Sequence, residues 1–147
     1  MLIREISEKE CLDTLAHASI GRLGCSFNDQ PYVVPIYLAY EDKCIYMFST
    51  LGKKIEWMRA NPKVCVEIED AVDKSESISL LVNGRYEELA EPQFTQERAH
   101  ARELLGKKHH WWLNALAERR VGSEDQQVEP VFFRIHVDSA TGLRWGT

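Results

Sequence analysis

The sequence predicts an α+β fold that is mainly β: a barrel of about six, mostly antiparallel strands with helices inserted between them. Along the 147 residues the patterns run helix, three strands, helix, two strands, helix, strand. Short turns join the first three strands, as in an antiparallel meander. Helices and strands do not alternate as β-α-β units, which disfavours a doubly wound parallel sheet. With neither an internal repeat nor a linker, the chain is predicted to be a single domain over residues 1–147.

A capping box predicts the start of the first helix. Ser7 and Glu10 have the spacing of an N-cap and an N3 residue, and Ile6 and Cys11 stand where a hydrophobic staple would pack. The apolar positions that follow fit one helix face, and the helix is expected to end near residues 17–19.

Three strand patterns come next, over residues 20–27, 30–40 and 43–49. They are rich in Val, Ile and Tyr, and turn signals at Asn28-Asp29 and Glu41-Asp42 separate them. Pro35 falls inside the second strand and cannot donate to a sheet ladder. That position is therefore an edge, a bulge or a ligand contact.

A second helix is predicted from Gly52 to Asn61-Pro62, with Ile55, Met58 and Leu51 offered to the core. Residues 63–69 alternate between apolar and polar and predict a further strand.

The C-terminal half is less regular. Residues 77–89 predict a long strand, in which Asn83-Gly84 is either a hairpin turn or a bulge; the bulge is favoured because the strand pattern continues past it. A helix follows from Thr95 to about residue 116, with Gly106 as an interruption, then a polar loop at 121–129 and a last strand at 131–137.

Composition limits the classes of partner and compartment. The net charge of −5 gives no general affinity for nucleic acid or anionic membranes. No apolar run approaches the roughly 20 residues that span a bilayer, and no signal sequence opens the chain, so a cytoplasmic location is expected. The four cysteines are irregularly spaced, which favours small buried side chains over zinc ligands.

An anion site is predicted where the third strand meets the second helix. Ser49, Thr50 and Gly52 precede Lys53 and Lys54, which open the helix. Helix N-terminal amides and the positive end of the helix dipole attract phosphate, whereas lysines there cost about 0.3–1 kcal/mol each unless an anion is present. No P-loop pattern occurs. A basic segment on an acidic chain favours a small anionic ligand.

Other candidate chemistry is weaker. His109-His110-Trp111-Trp112 lacks metal-ligand spacing, so no metal site is predicted, and the tryptophans are expected to pack under the barrel or in a subunit contact. No nucleophile elbow or carboxylate pair appears, so we assign no catalytic residue. A bound cofactor is then the more economical source of chemistry.

An ordered set of motifs resembles the pyridoxamine 5′-phosphate oxidase-related FMN-binding split barrels, especially the nitroimidazole-resistance type. The motifs are Gly21-Arg22-Leu23-Gly24, Pro31-Tyr32-Val33-Val34-Pro35-Ile36, Tyr46-Met47-Phe48-Ser49-Thr50, Gly52-Lys53-Lys54-Ile55 and Asn61-Pro62-Lys63-Val64-Cys65. The resemblance implies a six-stranded antiparallel split β-barrel with flanking helices. It also implies a homodimer with FMN at the subunit interface.

The resemblance also implies site residues. The phosphate contacts would be Lys53 and Lys54, with Ser49 and Thr50 nearby. The isoalloxazine would lie along Val33, Val34, Pro35 and Ile36, followed by Met47 and Phe48. Candidates for the second subunit's contribution are Trp112, Arg134 and Trp145.

The implied function is an FMN-dependent oxidoreductase with a small-molecule electron donor or acceptor, such as a nitro-aromatic or quinone-like compound. The arginine-rich substrate site and C-terminal motif of the oxidase proper are missing, which argues against vitamin B6 oxidation. One alternative is a haem-binding or haem-degrading split barrel with His136 or the pair His109-His110 as axial ligand. A deazaflavin-binding relative and a flavin-binding module without turnover are the others.

Overall fold

The computed structural model describes residues 2–108, 119–121, 124–126 and 130–146. Its strands are β1 (Leu2–Ile6), β2 (Ile20–Phe27), β3 (Gln30–Tyr37), β4 (Ala39–Glu41), β5 (Cys44–Thr50), β6 (Lys63–Ala71), β7 (Glu76–Glu88), β8 (Arg119–Val121), β9 (Glu124–Gln126) and β10 (Pro130–Gly146). Its helices are α1 (Glu8–His17), α2 (Lys53–Ala60) and α3 (Thr95–Lys108). None of these helices has the length and apolar character that a membrane crossing requires.

Eight strands form one sheet in the order β3-β2-β6-β7-β10-β5-β4, with β1 added to β10. Every pairing in this sheet is antiparallel. The six predicted strands all form, as β2, β3, β5, β6, β7 and β10, and β1 and β4 add two short ones. The predicted α+β, mainly β class is confirmed.

The sheet curls so that β3, at one end of the strand order, lies against β5 near the other end. β3 packs against β5, but the two are not neighbours in the strand order. The barrel is therefore closed by side-chain packing at this place, which we call the seam. Because β5 leads directly into α2, the seam and the start of α2 are adjacent.

Two apolar clusters flank the sheet. The larger fills the barrel, where alternate residues of the strands meet Leu15 of α1 and Ile55 and Met58 of α2. The smaller lies outside the barrel, where Phe132 of β10 packs with Leu105 of α3. Full burial of side chains of this size stabilises the fold by about 1.5–3 kcal/mol each.

The predicted single strand over residues 30–40 is wrong. Leu38 is fully buried and its N–H donates to the Ser19 carbonyl, which separates β3 from β4. The turn expected at Glu41-Asp42 lies one residue later, at Asp42 and Lys43, where φ is 50° and 60°. A short polar segment predicts that a turn is present, but it predicts less well which residues occupy the centre of the turn.

The region of Asn83-Gly84 is a continuous strand, so the hairpin alternative is wrong. The bulge lies in the opposite strand. In β10, Val137 pairs with Gly84 and Ser139 pairs with Asn83, so Asp138 is the extra residue of the bulge. A Cβ on Gly84 would stand 2.3 Å from the His136 carbonyl oxygen. Glycine is therefore required here by the close approach of β10.

Four smaller expectations also differ. The last strand is much longer than residues 131–137, because the second half of β10 pairs with β1, which the sequence analysis missed. Leu51 is 48 % exposed and does not join the core. Gly106 does not interrupt α3, which continues to Lys108; the predicted remainder of that helix lies outside the described residues. The expected loop at 121–129 contains part of the hairpin β8-β9.

Candidate functional site

The N-terminus of α2 has no side-chain cap. Gly52 occupies the N-cap position and supplies no side-chain hydrogen bond, whereas in α1 the Ser7 hydroxyl accepts the Glu10 N–H at 3.1 Å. An uncapped N-terminus leaves first-turn N–H groups without an intrahelical acceptor. Together with the helix dipole, these groups form a site for an anion.

Both predicted lysines stand in this first turn. The Nζ of Lys53 lies 5.2 Å from the ring centroid of Tyr32 and 5.1 Å from that of Trp57. Lys54 is half-buried beside Cys25: burial raises the pKa of this thiol, and the Lys54 charge opposes the increase. The two cations therefore take different directions from the same turn.

The predicted residues of β3 and β5 flank the seam, but their side chains divide between its two faces. Val33 and Pro35 point outward, Val33 with 62 % of its surface exposed. Val34 and Ile36 point into the barrel. These two predicted residues therefore do not offer their side chains to a ligand on the outer face of the sheet.

The same alternation holds on β5. Met47 and Ser49 are buried inside the barrel, while Phe48 faces the cluster under α3. The Ser49 hydroxyl donates to the Thr50 carbonyl at 3.0 Å. It is therefore already used within the protein, and Thr50, half-buried at the end of β5, stands nearer to α2.

The free edge of β3 has an unusual set of backbone groups. The two-residue turn at Asn28 and Asp29, with φ of 49° and 62°, makes Phe27–Gln30 the first hydrogen-bonded pair of the hairpin. Hydrogen-bonded and non-hydrogen-bonded pairs alternate, so Pro31, Val33 and Pro35 direct their backbone groups away from β2. Of these three residues, Val33 alone has an N–H. The edge thus presents one donor between two prolines.

Tyr32 and Trp57 are the site residues that the sequence analysis missed. Trp57 follows Lys53 by four residues on one helix face, and this spacing could have revealed it. Tyr32 reaches Lys53 only because β3 closes against β5 and α2. No local pattern contains that information.

A shallow groove of about 540 Å³ runs across the outer face of the sheet. Its lining includes Gly24, Val33, Cys65, Gly84 and Arg85. Val33 belongs both to this groove and to the seam, so the two features adjoin.

A polar cluster lies on the outer face of β5, β7 and β10. Glu87 Oε1 accepts from Arg134 Nε at 2.7 Å and lies 3.0 Å from His136 Nε2. The other ring nitrogen of His136, Nδ1, lies 3.5 Å from the Cys44 sulfur. Burial alone would raise the pKa of Glu87, but the hydrogen bonds from His136 and Arg134 outweigh it and hold that pKa below its usual range.

This cluster bears on other candidates from the sequence. Arg134 is engaged by Glu87, and Trp145 lies on β10 opposite Ile3. The pair His109-His110 and Trp112 lie outside the described residues. Within the described part of the chain, no three His, Cys, Asp or Glu side chains are placed to hold a metal ion.

Comparisons with known proteins agree with this fold. A protein of Rhizobium meliloti is 38 % identical over 147 residues, covering 97 % of this chain and 95 % of its own. The structure of a FAD-binding protein from Mesorhizobium loti is 40 % identical, covers 99 % of this chain and 100 % of its own, and has a TM-score of 0.82.

The nitroimidazole-resistance type also appears among the similar folds. A putative 5-nitroimidazole antibiotic resistance protein from Bacteroides thetaiotaomicron is 22 % identical, with a TM-score of 0.72 and coverage of 99 % of this chain and 90 % of its own. The family model described as pyridoxamine 5′-phosphate oxidase matches residues 7–144. The chain therefore belongs to the pyridoxamine 5′-phosphate oxidase-like family of flavin-binding split barrels.

Proposed function

We propose that this protein is a flavin-dependent oxidoreductase that binds FMN at the seam, with the 5′-phosphate at the start of α2. The observation that carries the proposal is the uncapped helix N-terminus with Lys53 and Lys54 in its first turn. Backbone amides at an uncapped helix N-terminus and nearby lysine side chains are the chemistry that a phosphate needs. Without a bound anion, the two lysines would destabilise the start of α2, because the helix dipole repels cations there. A bound phosphate would remove this cost and so accounts for their position.

The seam fits the remainder of the cofactor. The Val33 N–H can donate to an acceptor on the edge of a flavin ring, and the carbonyls of Pro31 and Pro35 can accept from a ring N–H. The apolar Val33 side chain would cover a ring face and exclude water. When bound, the flavin supplies the hydride and electron transfer, and the residues of this chain bind and orient it.

Assembly as a homodimer is part of the proposal. Large apolar side chains are exposed on the outer face of the sheet, among them Val33, Leu81 and Leu143. An apolar surface of this kind on a single chain is typical of a protein interface. A second copy would cover the face and enclose a flavin held at the seam. Light scattering coupled to size-exclusion chromatography should give twice the chain mass; a monomer at micromolar concentration contradicts the dimer.

FAD is a second candidate for the cofactor. The Mesorhizobium loti protein, 40 % identical over nearly the whole chain, is described as FAD-binding. The FMN moiety is common to both flavins and is the part that we propose binds at the seam and the start of α2. Mass spectrometry of the molecule released by heat distinguishes them.

The electron acceptor we propose is a nitro-aromatic or quinone-like compound, with NADH or NADPH as donor. Turnover assays with these pairs separate an oxidoreductase from a flavin-binding module that does not turn over. The haem alternative has less support, because both ring nitrogens of His136 are engaged by Cys44 and Glu87. An intense Soret band in the purified protein would nevertheless decide for haem.

The site assignment is tested by the double variant Lys53→Ala/Lys54→Ala. Each charge-assisted hydrogen bond contributes about 1.5–3 kcal/mol, so losing both should weaken FMN binding by at least about 100-fold. Lys74→Ala, an exposed lysine in the loop between β6 and β7, is the matched control and should retain flavin. Unchanged flavin content in the double variant would contradict the assignment of Lys53 and Lys54 to the phosphate site.

A further inference from the structure

Lys53 is held in place by aromatic rings from two different elements. Its ammonium lies over Tyr32 of β3 at 5.2 Å and over Trp57 of α2 at 5.1 Å. Tyr32 and Trp57 also contact each other edge to face, with centroids 5.7 Å apart and an interplanar angle of 62°. The three side chains therefore form one unit that bridges the seam.

This arrangement needs an explanation, because the charge stands at the unfavourable end of its helix. A cation in the first turn is repelled by the helix dipole. An exposed lysine has many rotamers and would be expected to turn towards solvent. The faces of Tyr32 and Trp57 carry negative partial charge and attract the ammonium, so they offset the repulsion and limit its movement.

We propose that Tyr32 and Trp57 are positioning residues that hold the Lys53 ammonium beside the start of α2, so that the site selects flavin 5′-phosphates over riboflavin. The inference rests on the proposed flavin function and adds to it the source of specificity. The rings touch the lysine, and they act on the ligand through it. A lysine already ordered in the free protein loses less side-chain entropy when a phosphate binds.

The structure also supplies a control. The Phe27 ring lies 6.0 Å from Trp57 at 41° and belongs to the same aromatic group. The cation contacts of Lys53 are with Tyr32 and Trp57. Removing the Phe27 ring therefore disturbs the aromatic group while leaving both rings under the ammonium.

The experiment measures dissociation constants of FMN and riboflavin for the flavin-free, full-length protein by quenching of flavin fluorescence. The readout is the dissociation constant of riboflavin divided by that of FMN. Effects on folding, or on binding of the isoalloxazine ring that both ligands share, cancel in this ratio. Tyr32→Leu should lower this ratio about three- to tenfold, corresponding to the cost of ordering one side chain. Tyr32→Phe keeps the ring and should keep the ratio, and Phe27→Leu should also leave it unchanged.

A double variant tests whether Tyr32 acts on the ligand by positioning Lys53. In a Lys53→Ala background, Tyr32→Leu should have no further effect on the ratio, because the group it positions is gone. The inference is overturned if Tyr32→Leu leaves the wild-type ratio unchanged, or if Phe27→Leu lowers it equally. If the wild-type protein binds neither flavin, the proposed function itself fails, which is a different result from flavin binding with an unaltered ratio.

Discussion

Replacing Gly84 by alanine tests the close contact between β7 and the bulge of β10. The new Cβ would lie 2.3 Å from the His136 carbonyl oxygen and 2.7 Å from Cγ2 of Ile135. A normal C···O contact is about 3.3 Å, so the strands must separate by about 1 Å. Ile135 is fully buried, and the carbonyl is part of the strand backbone, so neither atom can simply rotate away.

The cost follows from two contributions. Overpacking of this kind costs about 1–3 kcal/mol, and weakening one ladder hydrogen bond beside the bulge adds about 1 kcal/mol. We therefore expect Gly84→Ala to lower the free energy of unfolding by about 2–4 kcal/mol. For a chain of this size, the melting temperature should fall by about 5–15 °C.

Gly106 provides the matched control, because the same chemical change should have the opposite sign there. A Cβ at Gly106 meets no atom of the described residues within 4 Å apart from the backbone of its own helix, and the residue belongs to α3. Alanine in a helix interior is favoured over glycine by about 0.5–1 kcal/mol. Gly106→Ala should accordingly stabilise the protein by that amount.

The assay is equilibrium urea unfolding followed by tryptophan fluorescence, with all variants at one protein concentration, since dimerisation would make stability concentration-dependent. A Gly84→Ala variant within 0.5 kcal/mol of the wild type would refute the close approach of β10 at this position. A destabilised Gly106→Ala variant would refute the continuous helix through Gly106.

Two further predictions concern charge and capping. Burial would raise the pKa of Glu87, but the hydrogen bonds from His136 and Arg134 outweigh it and lower this pKa in the folded protein. The stabilisation by the Glu87 carboxylate is therefore present above its ordinary pKa of 4.5 and is lost as the pH falls through the lower pKa of the folded state. Urea unfolding between pH 3 and 7 should show that Glu87→Gln loses less unfolding free energy on acidification than the wild type, and an equal loss would contradict this. Ser7→Ala should cost about 1 kcal/mol in urea unfolding through loss of the α1 cap, whereas Ser7→Thr should retain most of it.

Elements specified by short-range patterns were predicted well from the sequence. Ser7 accepts the N–H of Glu10 as a capping box requires, and α2 buries Ile55 and Met58 at helical spacing. In each case the interacting groups are within four residues of one another.

Elements that depend on distant partners were not predicted. β1 is a strand because Leu2–Ile6 pairs with residues 142–146, at the other end of the chain. The bulge was assigned to β7 because glycine is there, but the extra residue is Asp138 of β10, which only the pairing register reveals. Tyr32 joins the proposed phosphate site for the same reason: its contact with Lys53 exists only once the barrel has closed.

The prolines of β3 connect the shape of the barrel with its proposed function. Closing the seam with a regular ladder would require backbone donors on the side of β3 that faces away from β2. The residues that face this way are 31, 33, 35 and 37, and Pro31 and Pro35 remove two of these four donors. The edge therefore cannot pair fully with another strand of this chain or of a neighbouring molecule, and the barrel stays open between β3 and β5. The Val33 N–H, between the two prolines, is retained on this side of the strand. In the proposed function, the prolines that prevent a regular ladder also keep the Val33 N–H available to the flavin, so an edge position and a proposed ligand contact at Pro35 are compatible.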